Sequence, residues 1–164
     1  MSLVWMLQSA RHRVWLTAGY FVPNDPLLTA LKVAAARGVD VRLLVSGKSD
    51  HPYLLRVGRS FYEELLGFGV KIYEYTRGIS HAKVVLIDEH WLMVGSANLD
   101  IRSMRLNFEL NVLIRDQERA HELETALRKD FERDSKRITL PEFQERSFGE
   151  RLLESTLRPL APLL

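Results

Sequence analysis

The sequence predicts an α/β fold, a mixed and mostly parallel β-sheet flanked by helices on both faces. Three observations lead there. Apolar runs of strand length alternate with longer stretches whose apolar residues recur every three or four positions. Over the first half of the chain they follow one another as β-α-β-α-β, an order that implies right-handed crossovers and parallel pairing. The composition, 46% apolar and 27% charged over 164 residues, is that of an ordinary globular domain and argues against disorder, collagen or a coiled coil.

Taken in order, Val4 to Arg11 reads as a short amphipathic helix and Val14 to Ala18 as a buried strand. Asp25 before Pro26 predicts a helix start, a capping acceptor followed by a ring preset for the first turn. Leu27, Ala30, Leu31, Ala34 and Ala35 form its apolar stripe, and Gly38 stands just past its end. Val39 to Val45 is the next strand and Ser46 to Pro52 a polar loop. Leu54, Val57, Phe61, Leu65 and Leu66 make one further helix, stopped at Gly67 or Gly69, and Val70 to Tyr75 a third strand. Beyond Gly78 the pattern changes: His81 to Ile87 and Trp91 to Val94 read as strands joined by the turn Asp88-Glu89-His90, and Leu106 to Ile114 as another. Gln117 to Phe131 is a helix with Ala120, Leu123, Leu127 and Phe131 inward. Thr139 with Glu142, and Ser147 with Glu150, have capping-box spacing before short helices.

Residues 4–164 are expected to form one domain, with Met1-Ser2-Leu3 reading as a start plus a cloning scar. The chain has no cysteine, which excludes a disulfide scaffold and thiolate metal sites. No apolar run approaches the roughly 18 residues a bilayer span needs, and no signal peptide is evident. A net charge of +2 does not make a nucleic-acid binder, and none is expected as a partner; it would help mildly at an anionic membrane surface.

Two features point to chemistry. His81 and Lys83 share one face of a strand that otherwise reads Ala82, Val84, Val85, Leu86, Ile87. Two adjacent cations gain nothing from each other but make sense around an anion; a solvated polar end of an edge strand is the alternative. Asn107, Glu109 and Asn111 alternate with Phe108, Leu110 and Val112, which reads either as simple half-exposure or as a carboxylate held within a site. The two features join in His81-x-Lys83-x4-Asp88-x6-Gly95-Ser96-x-Asn98, six specified residues at fixed spacing.

That pattern resembles the signature of the phospholipase D superfamily at every defined position, which implies a phospholipase D-like domain. The likeness runs along most of the chain. Tyr20-Phe21-Val22-Pro23, Arg37-Gly38-Val39-Asp40-Val41, Ser46 to Pro52, Gly58-Arg59-Ser60-Phe61-Tyr62, Ser96-Ala97-Asn98-Leu99-Asp100 and Arg105-Leu106-Asn107-Phe108-Glu109 resemble the C-terminal catalytic half of bacterial cardiolipin synthases. That family carries two signatures per active site and N-terminal membrane helices, whereas this chain has one signature and no such helix. The resemblance therefore implies a missing N-terminal half or a second copy as partner. It further implies a phospholipid substrate, no cofactor and no metal, and a full-length protein held at the cytoplasmic membrane of which this piece would be soluble.

The resemblance also implies roles. Two facing histidines would divide phosphodiester exchange between a nucleophile that forms a phosphohistidine and a general acid and base; in two-signature relatives His81 would be the latter. Lys83, Asn98 and Ser96 would hold the nonbridging oxygens, and Glu109 would accept from the far ring nitrogen of His81. Asp88 belongs to the same candidate set through the signature, but strand parity puts it on the opposite face and it reads as an anchor for the turn. Gly95 would let the backbone approach before Ser96. Tyr20, Phe21, Lys48 and His51 follow strand ends where α/β sheets bind ligands, so they are candidate pocket-lining residues or plain loop polarity. The Leu-rich ending, Leu152, Leu153, Leu157, Leu160, Leu163 and Leu164, is either a packed helix or a shallow bilayer contact helped by Arg151 and Arg158. The expected function is transfer of a phosphatidyl group between two phosphatidylglycerols; a lipid hydrolase, a homodimeric nuclease and an inert half-domain are the alternatives.

Overall fold

Along β1 (Arg13–Ala18), Val14, Leu16 and Ala18 face one apolar layer and Trp15 faces another, all of them buried. That division runs through the whole protein, which a computed structural model describes over residues 3–163, excepting the side chains of residues 160, 162 and 163. The expectations for Met1-Ser2 and for Leu164, and for the side chains of Leu160 and Leu163, lie outside the described residues.

After α1 (Leu3–Ser9) and β1 come β2 (Phe21–Val22), α2 (Asp25–Ala36), β3 (Asp40–Ser46), α3 (Pro52–Arg59), α4 (Tyr62–Gly67) and β4 (Lys71–Tyr75). The second half adds β5 (Val84–Ile87), β6 (Trp91–Gly95), β7 (Leu99–Asp100), α5 (Ile101–Arg105), β8 (Asn111–Arg115), α6 (Gln117–Arg133), β9 (Ser135–Ile138), α7 (Leu140–Gln144), α8 (Phe148–Leu157) and a 3-10 turn. Seven strands form one mixed sheet in the order β8-β6-β5-β1-β3-β4-β9, and β2 pairs with β7 beside it. Within the seven-stranded sheet parallel pairing is confined to β1, β3 and β4; β5, β6 and β8 continue it antiparallel on one side and β9 on the other, while β2 and β7 pair in parallel.

One face packs Val14, Leu16, Val41, Leu43, Ile72 and Val85 against α1, α2 and α4. The other packs Trp15, Leu44, Tyr73, Leu86 and Leu92 against Ala120, Leu127 and Phe131 of α6. There Trp15 meets Phe131 edge-on at 5.3 Å and donates its indole N–H to Asp40 at 3.0 Å. The register places the ends of β1 and β3, the start of β5, the end of β6 and the start of β8 at one end of the sheet, where the chain must leave the ladder and form loops. Among the described residues no helix is long and apolar enough to cross a membrane.

Several expectations need correction. Asn24, not Asp25, caps α2: its side chain accepts from Leu27 N at 3.0 Å, and Asp25 occupies the first turn. The single helix expected over 54–66 is broken into α3 and α4 around Ser60 and Phe61. Thr139 makes no side-chain cap, whereas Ser147 and Glu150 form a full capping box. His81 and Lys83 precede β5 rather than lying on it, and 106–110 are irregular, so the strand expected from Leu106 starts only at Asn111. In consequence Phe108, Leu110 and Val112 are not a buried face: all three are exposed, on or beside an edge strand. On α8, too, the polarity is inverted, with Glu154 buried against Arg146 while Phe148, Leu152 and Leu153 face outward.

Candidate active site

Two buried hydroxyls at strand ends hold the segment that carries His81. Thr17 of β1 donates to Ala82 O at 3.1 Å. Ser46 of β3 donates to Lys48 O at 2.6 Å and accepts from Ser80 N at 3.2 Å. Both residues are almost fully buried, and a buried hydroxyl must find such partners. The irregular chain from 80 to 82 is thereby fixed against the sheet.

The imidazole of His81 lies over Gly19, directly after β1. A Cβ at position 19 would stand 2.9 Å from His81 Cδ2 and 3.5 Å from Asn98 Oδ1, so glycine lets the ring and the carboxamide converge on one point. Asn98 reaches that point because β7 pairs Leu99 with Phe21 of β2. Its backbone N–H donates to Ser103 Oγ at 3.2 Å, and Ser103 N in turn donates to the Asp100 carboxylate at 2.6 Å. Asn98 Oδ1 is buried and has no hydrogen-bond partner among the described residues. An orphaned polar atom at the mouth of a site is an invitation to a ligand. Lys83 donates to His81 O at 3.0 Å. Burial pushes the Lys83 ammonium below its ordinary range, against the opposing pull of the Glu109 and Asp100 carboxylates.

Glu109 does not bond His81. Its carboxylate accepts from Ser96 Oγ at 2.5 Å and from Asn107 Nδ2 at 3.2 Å, and among the described residues no hydrogen bond joins it to the imidazole. The cause is the irregular course of 106–110, which lies against Ser96 through the bonds Ser96 N to Leu110 O and Leu110 N to Ser96 Oγ, each 3.0 Å. These bonds, the Ser96 hydroxyl first, hold Glu109 below the ordinary carboxylate range. Gly95 permits this approach, since a side chain there would collide with Asn111 Oδ1 and Leu110 O.

Other candidates lie elsewhere. Asp88 follows β5, four strand residues and roughly 13 Å from the His81 end of the sheet. It therefore stands outside the group that converges on Gly19, which corrects its place among the catalytic candidates. Its carboxylate accepts from the backbone N–H groups of Arg11, His12 and Arg13 at 3.2, 2.8 and 3.1 Å. Phe21 is a core side chain and reaches the site only through its backbone pairing. Tyr20 donates to Asp50 at 2.5 Å and its ring lies 6.2 Å from that of His51, while Lys48 and His51 are exposed on the same loop. Sequence reasoning missed Gly19, Thr17, Ser46, Asp100 and Ser103. The available signal was small or hydroxyl-bearing residues at the ends of otherwise apolar strands. Among the described residues no cluster of three or more His, Cys, Asp or Glu is placed to hold a metal ion.

A histidine and an asparagine backed by a glycine, with a lysine bonded to the histidine's carbonyl, at one end of a mixed sheet are the arrangement of a domain of phospholipase D type, and the solved structures agree on the fold. The protein superimposes on Nuc, a phospholipase D family member from Salmonella typhimurium, with a TM-score of 0.70 at 20% identity, covering 83% of this chain and 88% of that one. It superimposes on the phosphatidylserine synthase of Haemophilus influenzae with a TM-score of 0.76 at 15% identity, covering 98% of this chain and 42% of that one. The family described as cardiolipin synthase, phospholipase D-like domain matches residues 3–135, and the chain belongs to that family. Cardiolipin synthase 2 of Bacillus anthracis is 44% identical over 159 residues, 97% of this chain and 31% of that protein. The cardiolipin synthase of Geobacillus kaustophilus is 43% identical over 97% of this chain and 32% of its own length. The chain thus spans about a third of the length of these relatives.

Proposed function

We propose that this chain supplies one half of the active site of a phosphatidyltransferase that makes cardiolipin and glycerol from two phosphatidylglycerols. The observation that carries the reading is the convergence of His81 and the unpartnered Asn98 carboxamide over Gly19, with the Lys83 ammonium anchored to the same backbone. In the first half-reaction one imidazole nitrogen attacks phosphorus. A P–N bond forms as the P–O bond to glycerol breaks, and a facing imidazolium gives its proton to the glycerol oxygen. In the second, that imidazole takes the proton of a hydroxyl on the other phosphatidylglycerol, whose oxygen displaces the histidine. His81 fills the acid and base role, Lys83 and Asn98 the nonbridging oxygens. Ser96 and Asn107 hold Glu109 beside Lys83, so its carboxylate acts on the ammonium rather than on the imidazole.

The second histidine comes from a facing half, whether the N-terminal part of a longer chain or another copy. The exposed Leu106, Phe108, Leu110 and Val112 beside Glu109 support such a covering partner, since a patch of large apolar residues next to a site marks an interface. The outward Phe148 and Leu152 of α8, with Arg151 between them, support contact with an anionic bilayer surface. A phosphodiesterase made of two copies is the second reading, favoured by the near-complete coverage of Nuc by this one domain. Size-exclusion mass combined with release of glycerol from phosphatidylglycerol tests the proposal: activity is expected only of a species with two signatures, and catalysis by this single-signature chain as a strict monomer overturns it.

Two outcomes follow from the roles. Lys83 must be cationic to hold the phosphate, and its depressed pKa means that the charge is lost as pH rises into a range where an exposed lysine stays protonated. The alkaline limb of kcat/KM is expected to steepen there, and Lys83→Arg to remove that second descent while the histidine limb stays. Because lysine and amide groups supply the electrophilic stabilisation, EDTA is expected to leave the rate unchanged; strong inhibition would reject the mechanism.

A further inference from the structure

We infer that a groove beginning at Asn98 holds an acyl chain of the phosphatidyl substrate, an inference that rests on the transfer reading above. The groove, about 560 Å³, lies between α1, the start of α2, α5, the strand β6 and the edge strand β8. Its volume falls within the range of small-ligand sites. Met6, Met93, Met104 and Leu113 give it an apolar wall, while Asn98 and Ser103 mark the place where it meets the site. No charged side chain lines it, in contrast to the other large cavities, which carry arginines.

The fold explains why the groove exists. The helices on this face cover β1 and β3 fully, but Met93 on β6 is only half-buried and Leu113 on the edge strand β8 is 36% exposed. The result is an uncovered apolar trough that runs up to the residue with the orphaned carboxamide oxygen. A diacyl phosphodiester has the matching polarity: a tetrahedral anion that must sit between His81, Lys83 and Asn98, and hydrocarbon that must leave that point by some route. Thioether side chains are unbranched and adaptable, so they accommodate chains of differing length and unsaturation without a fixed shape. Uncharged walls fit hydrocarbon and offer nothing to a charged partner segment.

In a bilayer the chain already lies in hydrocarbon, so the groove adds little there. The test therefore uses short-chain phosphatidylglycerols kept monomeric in water, with the assembled enzyme. Burying each methylene of one engaged chain is expected to raise kcat/KM about fourfold, so dihexanoyl should exceed dibutanoyl phosphatidylglycerol by about 16-fold. Leu113→Trp fills the trough from its exposed edge. It is expected to flatten that dependence while leaving turnover of glycerophosphoglycerol, the same headgroup without chains, unchanged. A flat dependence in the unaltered enzyme, or an equal loss on both substrates in the variant, overturns the inference and leaves the transfer reading intact. A change in assembly mass in the variant also overturns it and makes the trough a protein interface. If no phosphodiester is turned over at all, the transfer reading fails, and the groove is judged by binding alone. A phosphatidylglycerol carrying a diazirine at one chain end is expected to label peptides containing Met93 or Met104 in the unaltered protein, and labelling only elsewhere overturns the assignment.

Discussion

His81→Ala is expected to abolish phosphatidyl transfer by the assembled enzyme, with a loss of about 10⁴-fold or more in kcat, while the protein stays folded. The size follows from what the proposed reaction asks of one imidazole in each half-reaction. It must deliver a proton to the departing glycerol oxygen and then remove one from the attacking hydroxyl, and knocking out one member of such a unit costs about as much as losing the unit. Retention of the fold follows from how the segment is held. Thr17 Oγ1 bonds Ala82 O, and Ser46 Oγ accepts from Ser80 N, so both anchors use the backbone and neither needs the ring. His81 is itself exposed, and alanine opens no cavity in either apolar layer. Exposed substitutions of this kind usually stay within about 0.5 kcal/mol. Glycerol release and circular dichroism, measured on the same preparation, check both halves. Substantial residual transfer would show that His81 does not handle the proton, and a lost fold would show that it is structural.

How much of this was legible beforehand depends on where the information is written. The strands around the centre, Val14 to Ala18 and Val39 to Val45, are apolar apart from Thr17, Asp40 and Arg42 because both faces are covered, and they stand where the pattern puts them. The signature residues His81, Lys83 and Asn98 announce themselves by spacing. What the pattern hides is geometry set by distant partners. The family resemblance put Glu109 on the histidine, and the alternation from Asn107 to Val112, which mimics a strand, did not contradict it. In the structure Ser96, thirteen residues earlier, claims that carboxylate through a local loop instead. The same alternation suggested a buried apolar side, but Phe108 and Leu110 lie beyond the sheet and nothing among the described residues covers them. The edge strand β9, reading Ser-Lys-Arg-Ile, has no apolar alternation, and only Ile138 of it reaches the core beside its partner Ile72 on β4, so propensity could not reveal it. Gly19 carries no pattern either; its importance is visible only once an imidazole and a carboxamide lie against it.

Asp88 separates the chemistry of the signature from its scaffolding, and Asp88→Ala is expected to cost about 2–4 kcal/mol of stability with little effect on the chemistry. One carboxylate accepts from three successive backbone N–H groups, those of Arg11, His12 and Arg13, at the point where the chain enters the central strand. Arg13 returns the contact by donating Nε to Asp88 O at 2.8 Å. Hydrogen bonds to a charged acceptor contribute about 1.5–3 kcal/mol each when isolated, less when one partly exposed carboxylate is shared. The backbone adds a second constraint, for Asp88 sits at φ +51°, a left-handed conformation that aspartate and asparagine tolerate better than alanine. Asp88→Asn keeps that tolerance and one acceptor oxygen, so its loss should be about half as large. For a chain of this size a loss of 2–4 kcal/mol lowers Tm by roughly 5–15 °C. Below that lowered Tm, transfer per folded molecule is expected to stay within about twofold of the unaltered enzyme, because the residue stands at the far end of the strand from Gly19. The contrary pattern, an unchanged Tm with transfer collapsed as in His81→Ala, would place the carboxylate on the substrate and displace the anchoring role.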